Sequence, residues 1–377
     1  MKKKKNRVFN LSHYLLLSSF PNWIRLLKKN KPSVAKEKIP QAALITLTTA
    51  LFYPFALIEK AIWSKRIAAH KVENDPIFIV GHLRSGTTFV QNILSKDPNL
   101  AWTDPVSTIS NSNCLLLKDL LTFAQRGPLK NARPMDNLDY AIDLPVEETF
   151  GLAGISTRSI IHAVAFPNHF PDYIPYVFTD DLSEEEREGF IRDYTALIRK
   201  ISYIKKGKRL VLKSPDNSGH IRLLMELYPN ARFINIYRDP YRTLVSTVHM
   251  FKKQMEGLRI SPLPEDYDVD LLLEDNFTEI FERMYMETID LARVIPENRF
   301  IDIRYEEFVK EPVKWLEKIY SQLELEGFDE AKEHFEAYAD SQKNYVKNNL
   351  NISQRLKNKI NARLGFYFEH YGYKMED

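Results

Sequence analysis

Residues 76 to 94 constrain the fold most. Pro76-Ile77-Phe78-Ile79-Val80 is a short run of β-branched and aromatic residues. Gly81-His82-Leu83-Arg84-Ser85-Gly86-Thr87-Thr88 follows, and a helical pattern runs from about Thr87 to Leu94. A run of this kind bounded by glycine reads as a buried strand that delivers the chain into a loop and a helix. The chain has only 12 glycines in 377 residues, about half the usual share, so a closely spaced glycine pair is a signal. Backbone N–H groups at a helix N-terminus point toward an anion, and glycine lets the backbone come close to it. The loop therefore reads as an anion cradle; a tight strand-to-helix turn is the plainer alternative.

The same alternation continues downstream. Leu210-Val211-Leu212, Phe233-Ile234-Asn235-Ile236-Tyr237 and Arg299 to Tyr305 read as strands, with helices over Ile221 to Tyr228, Tyr241 to about Lys253, and from Pro312. Strands alternating with helices imply stacked β-α units on a parallel sheet. Ser183-Glu184-Glu185-Glu186 has capping-box spacing and opens a long helix to about Lys205, whereas the proline-rich stretch Phe166 to Tyr176 reads as a loop. With 44% hydrophobic and 27% charged residues, disorder, collagen and coiled coil are excluded as dominant descriptions. Lys plus Arg 53 against Asp plus Glu 50 leaves +3, too little for a polyanion-binding surface, so no nucleic-acid partner is expected and any anion site must be local. The single cysteine, Cys114, cannot form an internal disulfide and suits a reducing compartment.

Before residue 76 the texture differs. Lys2 to Lys5 read as a solvated tail, and the apolar run behind them is broken by Asn10, His13 and Pro21, unlike a secretory signal. Ile39 to Ile58 carries no charge and is long enough to span a bilayer, yet Pro40, Gln41, three threonines and Pro54 weaken that reading. A buried or substrate-lining helix, a helix lying on a membrane surface and a true span all remain open, with the basic stretches Arg25 to Lys38 and Lys60 to Arg66 on either side. The organisation expected is a helical N-terminal extension over residues 1–75 and one α/β domain over 76–377.

In the nucleotide-hydrolase loop GxxxxGK[ST] a lysine follows the second glycine. Thr87 stands there instead, and Arg84 supplies a positive charge within the loop. Arg238 ends a strand in Tyr237-Arg238-Asp239-Pro240, and Ser246 follows eight residues later. A strand end and just over two helical turns can bring guanidinium and hydroxyl to one phosphate, although Arg238 has a simpler role open to it, pairing with Asp239 or capping a helix.

The stretch Phe78 to Thr88 resembles the 5′-phosphosulfate-binding loop of sulfotransferases that use 3′-phosphoadenosine 5′-phosphosulfate (PAPS), which usually reads P-[KR]-S-G-T-T after a strand; Leu83 replaces the proline here. The Arg238-to-Ser246 spacing resembles the 3′-phosphate motif of that family, and Lys213-Ser214-Pro215 resembles the strand end whose lysine faces the sulfonate. The resemblance implies a P-loop-like three-layer α/β fold with a central parallel sheet flanked by helices. It also implies an enzyme moving a sulfuryl group from PAPS to a hydroxyl. Ser85, Gly86, Thr87 and Thr88 would hold the 5′-phosphate, Arg84 and Lys213 would be catalytic cations, and Arg238 with Ser246 would grip the 3′-phosphate. Tyr305, followed by Glu306-Glu307-Phe308, resembles the segment near the adenine. Asn344, Tyr345, Lys347 and Asn348 resemble a late polar stretch that closes over the cofactor. Many cytosolic members carry a catalytic histidine where Pro215 stands, which moves the base elsewhere.

A hydroxyl acceptor needs a base within hydrogen-bond reach. Glu147 and Glu148, an acidic pair in the apolar segment Leu144 to Phe150, are the candidates, with Glu148 preferred and His162, His169 and Asp104 in reserve. His82 reads as packed or touching the acceptor. No His/Cys cluster or HExxH pattern is present, so no metal is expected. The aromatic and aliphatic density of Phe150 to Phe178 suggests an apolar pocket and a lipophilic alcohol such as a sterol or lipid. A carbohydrate acceptor, a P-loop kinase and a non-catalytic membrane-surface module are the rivals. The setting expected is cytoplasmic, with peripheral membrane contact through residues 1–66 at the inner face.

Overall fold

The computed structural model describes residues 9–126, 144–263, 268–343 and 350–376. Its centre is a five-stranded sheet in the order β2-β3-β1-β4-β5, with every pairing parallel. The strands are β1 (Ile77–Val80), β2 (Leu100–Trp102), β3 (Arg209–Lys213), β4 (Arg232–Tyr237) and β5 (Phe300–Arg304). The α/β fold expected from the alternation is the one observed. The short strand β2 was not among those expected; three residues at a sheet edge carry too little pattern to be read.

Register aligns the strand ends. Ile79 pairs with Lys213 across β1 and β3, and Val80 with Asn235 across β1 and β4. Tyr237 pairs with Arg304 across β4 and β5. The carboxyl ends of four strands therefore open on one edge, where ligands bind in open α/β sheets. One apolar cluster, including Ile77, Ile79, Val211, Ile234 and Ile303, packs one face of the sheet, and a larger one including Phe78, Leu212 and Phe233 packs the other.

The N-terminal helices are α1 (Phe20–Lys29) and α2 (Ile39–Ala69). Tyr14, Trp23, Leu26 and Ile45 are buried in the larger cluster, so this region shares the core of the domain. By length and composition α2 could cross a membrane. Its inner face is nevertheless committed to protein: Trp23 Nε1 donates to Thr46 Oγ1 at 2.9 Å, and Glu59, nearly fully buried, is ion-paired with Lys200.

After β1 come α3 (Thr87–Leu94), α4 (Pro105–Ile109), α5 (Lys118–Arg126) and α6 (Glu148–Ile155). The helix Glu184–Ile204 starts where its capping sequence says, with Ser183 Oγ accepting from the Glu186 N–H at 3.4 Å. The stretch Phe166 to Tyr176 is not a loop. It forms successive short turns, Pro167–His169, Phe170–Tyr173 and Ile174–Tyr176, around buried Phe166, Phe170 and Tyr173. Each turn has proline in its first turn, where the missing N–H costs nothing, so the prolines that signalled a loop open helical turns instead.

Candidate active site

The loop between β1 and α3 departs from ordinary backbone at three places. Gly81 has φ +133°, Arg84 φ +69° and Gly86 φ +112°, all in the region that costs a side chain energy. A Cβ at Gly81 would run into the Ile236 carbonyl, and one at Gly86 into the Tyr305 ring. Tertiary contacts hold the loop in this shape. The Gly81 N–H donates to Ser218 Oγ at 2.7 Å and Thr247 Oγ1 to the Leu83 carbonyl at 3.1 Å. No side chain caps the N-terminus of α3, so its first-turn N–H groups face the cleft as an anion cradle.

Arg84 connects to both Ser246 and Arg238. Arg84 Nε donates to Ser246 Oγ at 3.0 Å, and Arg238 Nη1 donates to the Arg84 carbonyl at 3.0 Å. The Arg238 guanidinium lies 4.4 Å from the centroid of the Tyr305 ring, a cation–π stack. Tyr305 is the first residue of the short helix Tyr305–Phe308 rather than the last of β5, and its ring closes the space above Gly86. The helix Pro240–Leu258 begins on an Asp239 cap, whose carboxylate accepts from the Arg242 N–H at 2.8 Å. That carboxylate serves the helix start, which leaves the Arg238 guanidinium directed to the loop. Tyr367 fixes the Arg238 backbone from below, accepting its N–H at 3.2 Å and donating to its carbonyl at 2.8 Å. Neither Tyr367 nor Ser218 carries a local sequence signal, because each reaches the site from a distant segment.

Lys213 ends β3 almost completely buried. Its Nζ is ion-paired with Glu147 and lies 3.4 Å from Thr88 Oγ1. The adjacent glutamates divide their work. Glu147 is the extended N-cap residue of α6 and lines the cleft. Glu148, the first helical residue, is fully buried; its Oε2 accepts the Lys213 backbone N–H at 3.0 Å and its Oε1 accepts from Asn217 Nδ2 at 2.5 Å. Two consecutive carboxylates thus hold one lysine by its amine and by its amide. Burial raises the Glu148 pKa. Nearby Asp216 is pushed up to about 7, first by burial and then by the Glu148 charge; its Oδ2 accepts from Thr149 Oγ1 at 3.0 Å.

Of the other candidates, the histidines and Asp104 do not line the cleft. His82 is buried with its ring 5.0 Å from Phe281, and burial pushes its pKa down to about 4. His162 is buried between Tyr14 and the Ser156 carbonyl, His169 pairs with Asp172, and Asp104 caps α4 and pairs with Lys205. Lys347, with Asn344, Tyr345 and Asn348, lies outside the described residues. Among the described residues no group of three metal-ligating side chains comes together.

A cleft of about 790 Å³ runs over these groups. Arg84, Gly86, Thr87, Thr88, Glu147, Arg238 and Tyr305 form its polar end, while Leu83, Phe89, Pro215, Met250 and Val309 supply apolar wall. Such a basic cradle at strand ends, beside an apolar wall, defines a P-loop-like α/β protein built for an anionic ligand next to a less polar one.

Comparison with known proteins agrees, and the chain belongs to the sulfotransferase family, whose sequence model matches residues 76–330. It is therefore an enzyme of the sulfo-group-transferring class. It is 27% identical over 357 residues to the omega-hydroxy-beta-dihydromenaquinone-9 sulfotransferase Stf3 of Mycobacterium bovis and, equally, of Mycobacterium tuberculosis, covering 94% of this chain and 90% of each relative. The fold is similar to that of sulfotransferase STF9 from Mycobacterium avium, with a TM-score of 0.68 at 16% identity over 92% of this chain and 89% of that one. Sulfotransferase STF1 from Mycobacterium tuberculosis H37Rv gives 0.60 at 18% identity over 85% and 87%.

Proposed function

We propose that the protein transfers the sulfuryl group of PAPS to the hydroxyl of a lipophilic alcohol, with Glu147 rather than Glu148 as the base. One observation carries the reading: Glu147, a residue of the cleft wall, is ion-paired with the Lys213 amine, which lies 3.4 Å from Thr88 Oγ1 at the start of α3. The site fits a doubly phosphorylated donor. The uncapped start of α3 with Ser85, Gly86, Thr87 and Thr88 would hold the 5′-phosphate. Arg238 and Ser246 would hold the 3′-phosphate, with Tyr305 backing the guanidinium. Bound there, PAPS supplies an activated sulfuryl group on an anionic leaving group.

The chain's own part is positioning and charge. Glu147 accepts the proton of the acceptor hydroxyl, which avoids an oxonium product. Lys213 and Arg84 present positive charge where negative charge grows on the transferred group and the leaving oxygen. The buried Glu148 holds the Lys213 backbone in place and, sealed from the cleft, reaches no acceptor. Leu83, Pro215 and Met250 line the apolar approach. The mycobacterial relatives are named for an ω-hydroxylated menaquinone substrate, a lipid alcohol, and this supports the choice of acceptor. The single cysteine, buried Cys114, agrees with a cytoplasmic setting.

The test is transfer of radiolabel from 35S-PAPS to long-chain isoprenoid alcohols, sterols and soluble sugars, beside Arg238→Ala and Lys213→Ala. Label in a lipid alcohol, lost in both variants, is expected. Donor binding no better than that of Arg238→Ala would overturn the donor assignment, and sulfation of sugars alone would overturn the acceptor.

A further inference from the structure

An apolar helix is normally buried, because a helix hydrophobic all round has no face suited to water. α2 breaks this rule: only 22% of its most apolar window is buried. Ala42, Ile45, Thr49 and Glu59 turn inward. Leu47, Leu51, Phe55, Ile58 and Ile62, between 39% and 67% exposed, turn outward. At about 100° per residue these five fall within an arc of about 80°, a stripe roughly 22 Å long. Glu59 also accepts the N–H groups of Leu115 and Leu116 at 2.8 Å, which ties α2 to the start of α5. There Leu120 and Phe123 are exposed at 53% and 75%.

The exposed charges of α2 itself have one sign. On α2, Lys60, Lys65 and Arg66 are exposed; just before it Lys36 and Glu37 are exposed, the latter paired with Arg259, and Lys118 and Asp119 are exposed at the start of α5. The one carboxylate of the helix, Glu59, is buried and ion-paired with Lys200. An apolar stripe on a helix whose own exposed charges are all lysine or arginine complements an acyl-chain boundary beneath anionic headgroups. A span is ruled out by the inner face, which carries a buried ion pair and packs on the domain.

We propose that the outer face of α2, extended by Leu120 and Phe123, docks the enzyme flat on an anionic phospholipid bilayer. The helix lies parallel to the membrane, its stripe immersed to the acyl boundary and Lys60, Lys65 and Arg66 among the headgroups. This docking stands apart from the sulfotransfer reading, and its assay uses neither donor nor acceptor.

The full-length protein is floated with vesicles of phosphatidylcholine containing 30% phosphatidylglycerol, and with pure phosphatidylcholine vesicles. Binding to the anionic vesicles is expected, weaker on neutral ones and in high salt. Leu51→Glu with Ile58→Glu should reduce it by at least tenfold, since burying each such side chain is worth roughly that much. Lys65→Gln with Arg66→Gln should reduce it on the order of fivefold per charge removed. Val294→Glu, at an exposed apolar position outside α2 and α5, should leave it unchanged. Circular dichroism and thermal midpoints check folding; if the glutamate pair fails to fold, the glutamine pair and the salt series decide. Absence of vesicle binding, binding indifferent to these changes, or a dimer in solution that the glutamate pair dissociates while vesicles stay unbound would overturn the proposal.

Discussion

Replacing each of the two adjacent glutamates by glutamine separates proton acceptance from positioning. Glu147 lies at the cleft with its carboxylate on Lys213 Nζ. Glutamine there keeps the shape but loses the ability to take a proton, and general-base catalysis contributes on the order of 10²–10⁴-fold. We therefore expect Glu147→Gln to lower kcat by about that factor, with a lowered unfolding midpoint because the buried Lys213 ammonium loses its carboxylate partner. Glu148 accepts two hydrogen bonds in a fully buried setting. Each hydrogen bond to a charged group is worth roughly 1.5–3 kcal/mol, so Glu148→Ala should destabilise by about 3–6 kcal/mol. Glu148→Gln can still accept from the Lys213 N–H, and the Asn217 amide can turn to accept from the new NH₂. Burial already disfavours the charge at this position, so this change should cost less than about 2 kcal/mol and leave most activity. The assay is single-turnover transfer from 35S-PAPS to a lipid alcohol, paired with urea unfolding of each variant. If Glu147→Gln kept wild-type kcat while a stably folded Glu148→Gln lost it, the division of roles would be refuted.

Three further outcomes follow from the same geometry. Arg238→Ala should weaken binding of 3′-phosphoadenosine 5′-phosphate on the order of 10²-fold by calorimetry, the loss of one or two charge-assisted contacts; equal affinity would remove Arg238 from the donor site. Gly86→Ala should destabilise by about 1–3 kcal/mol for its positive φ alone and more for the clash with Tyr305. Tyr305→Ala should relieve only the clash, which chemical denaturation of the double variant will show. Asp216, its pKa raised to about 7 in the fold from 3.8, binds a proton more tightly folded than unfolded, so its contribution is fully present below about pH 4 and is lost as pH rises through about 7. At 1.36 kcal/mol per unit that loss reaches about 4 kcal/mol. Asp216→Asn should flatten this part of the stability profile, and an unchanged difference between pH 4 and pH 8 in urea unfolding would contradict it.

Much of this protein was legible because the relevant chemistry is local. A strand, a glycine-framed loop and a helix start are contiguous, so residues 77 to 94 announce both sheet and cradle. Arg238 and Ser246 are separated by a strand end and two helical turns, and each bonds to Arg84, Ser246 to its guanidinium and Arg238 to its carbonyl. The prolines between Phe166 and Tyr176 misled for the converse reason: proline breaks a helix interior but suits a helix start, and only the burial of Phe166, Phe170 and Tyr173 selects between the two.

What the sequence determined by itself was the inventory, an anion loop, a second basic site, a lysine at a strand end and an acidic pair. Its order along the chain was enough to imply the α/β sheet. Which glutamate faces the cleft was decided only by the tertiary structure, because it depends on where α6 begins relative to β3. Glu147 falls in the extended turn and Glu148 one residue inside the helix; that step sends one carboxylate to the lysine amine and the other to its backbone. The fate of α2 was likewise beyond composition. Its residues are apolar on every side, and only packing against the domain determined which face was covered and which was left for another surface.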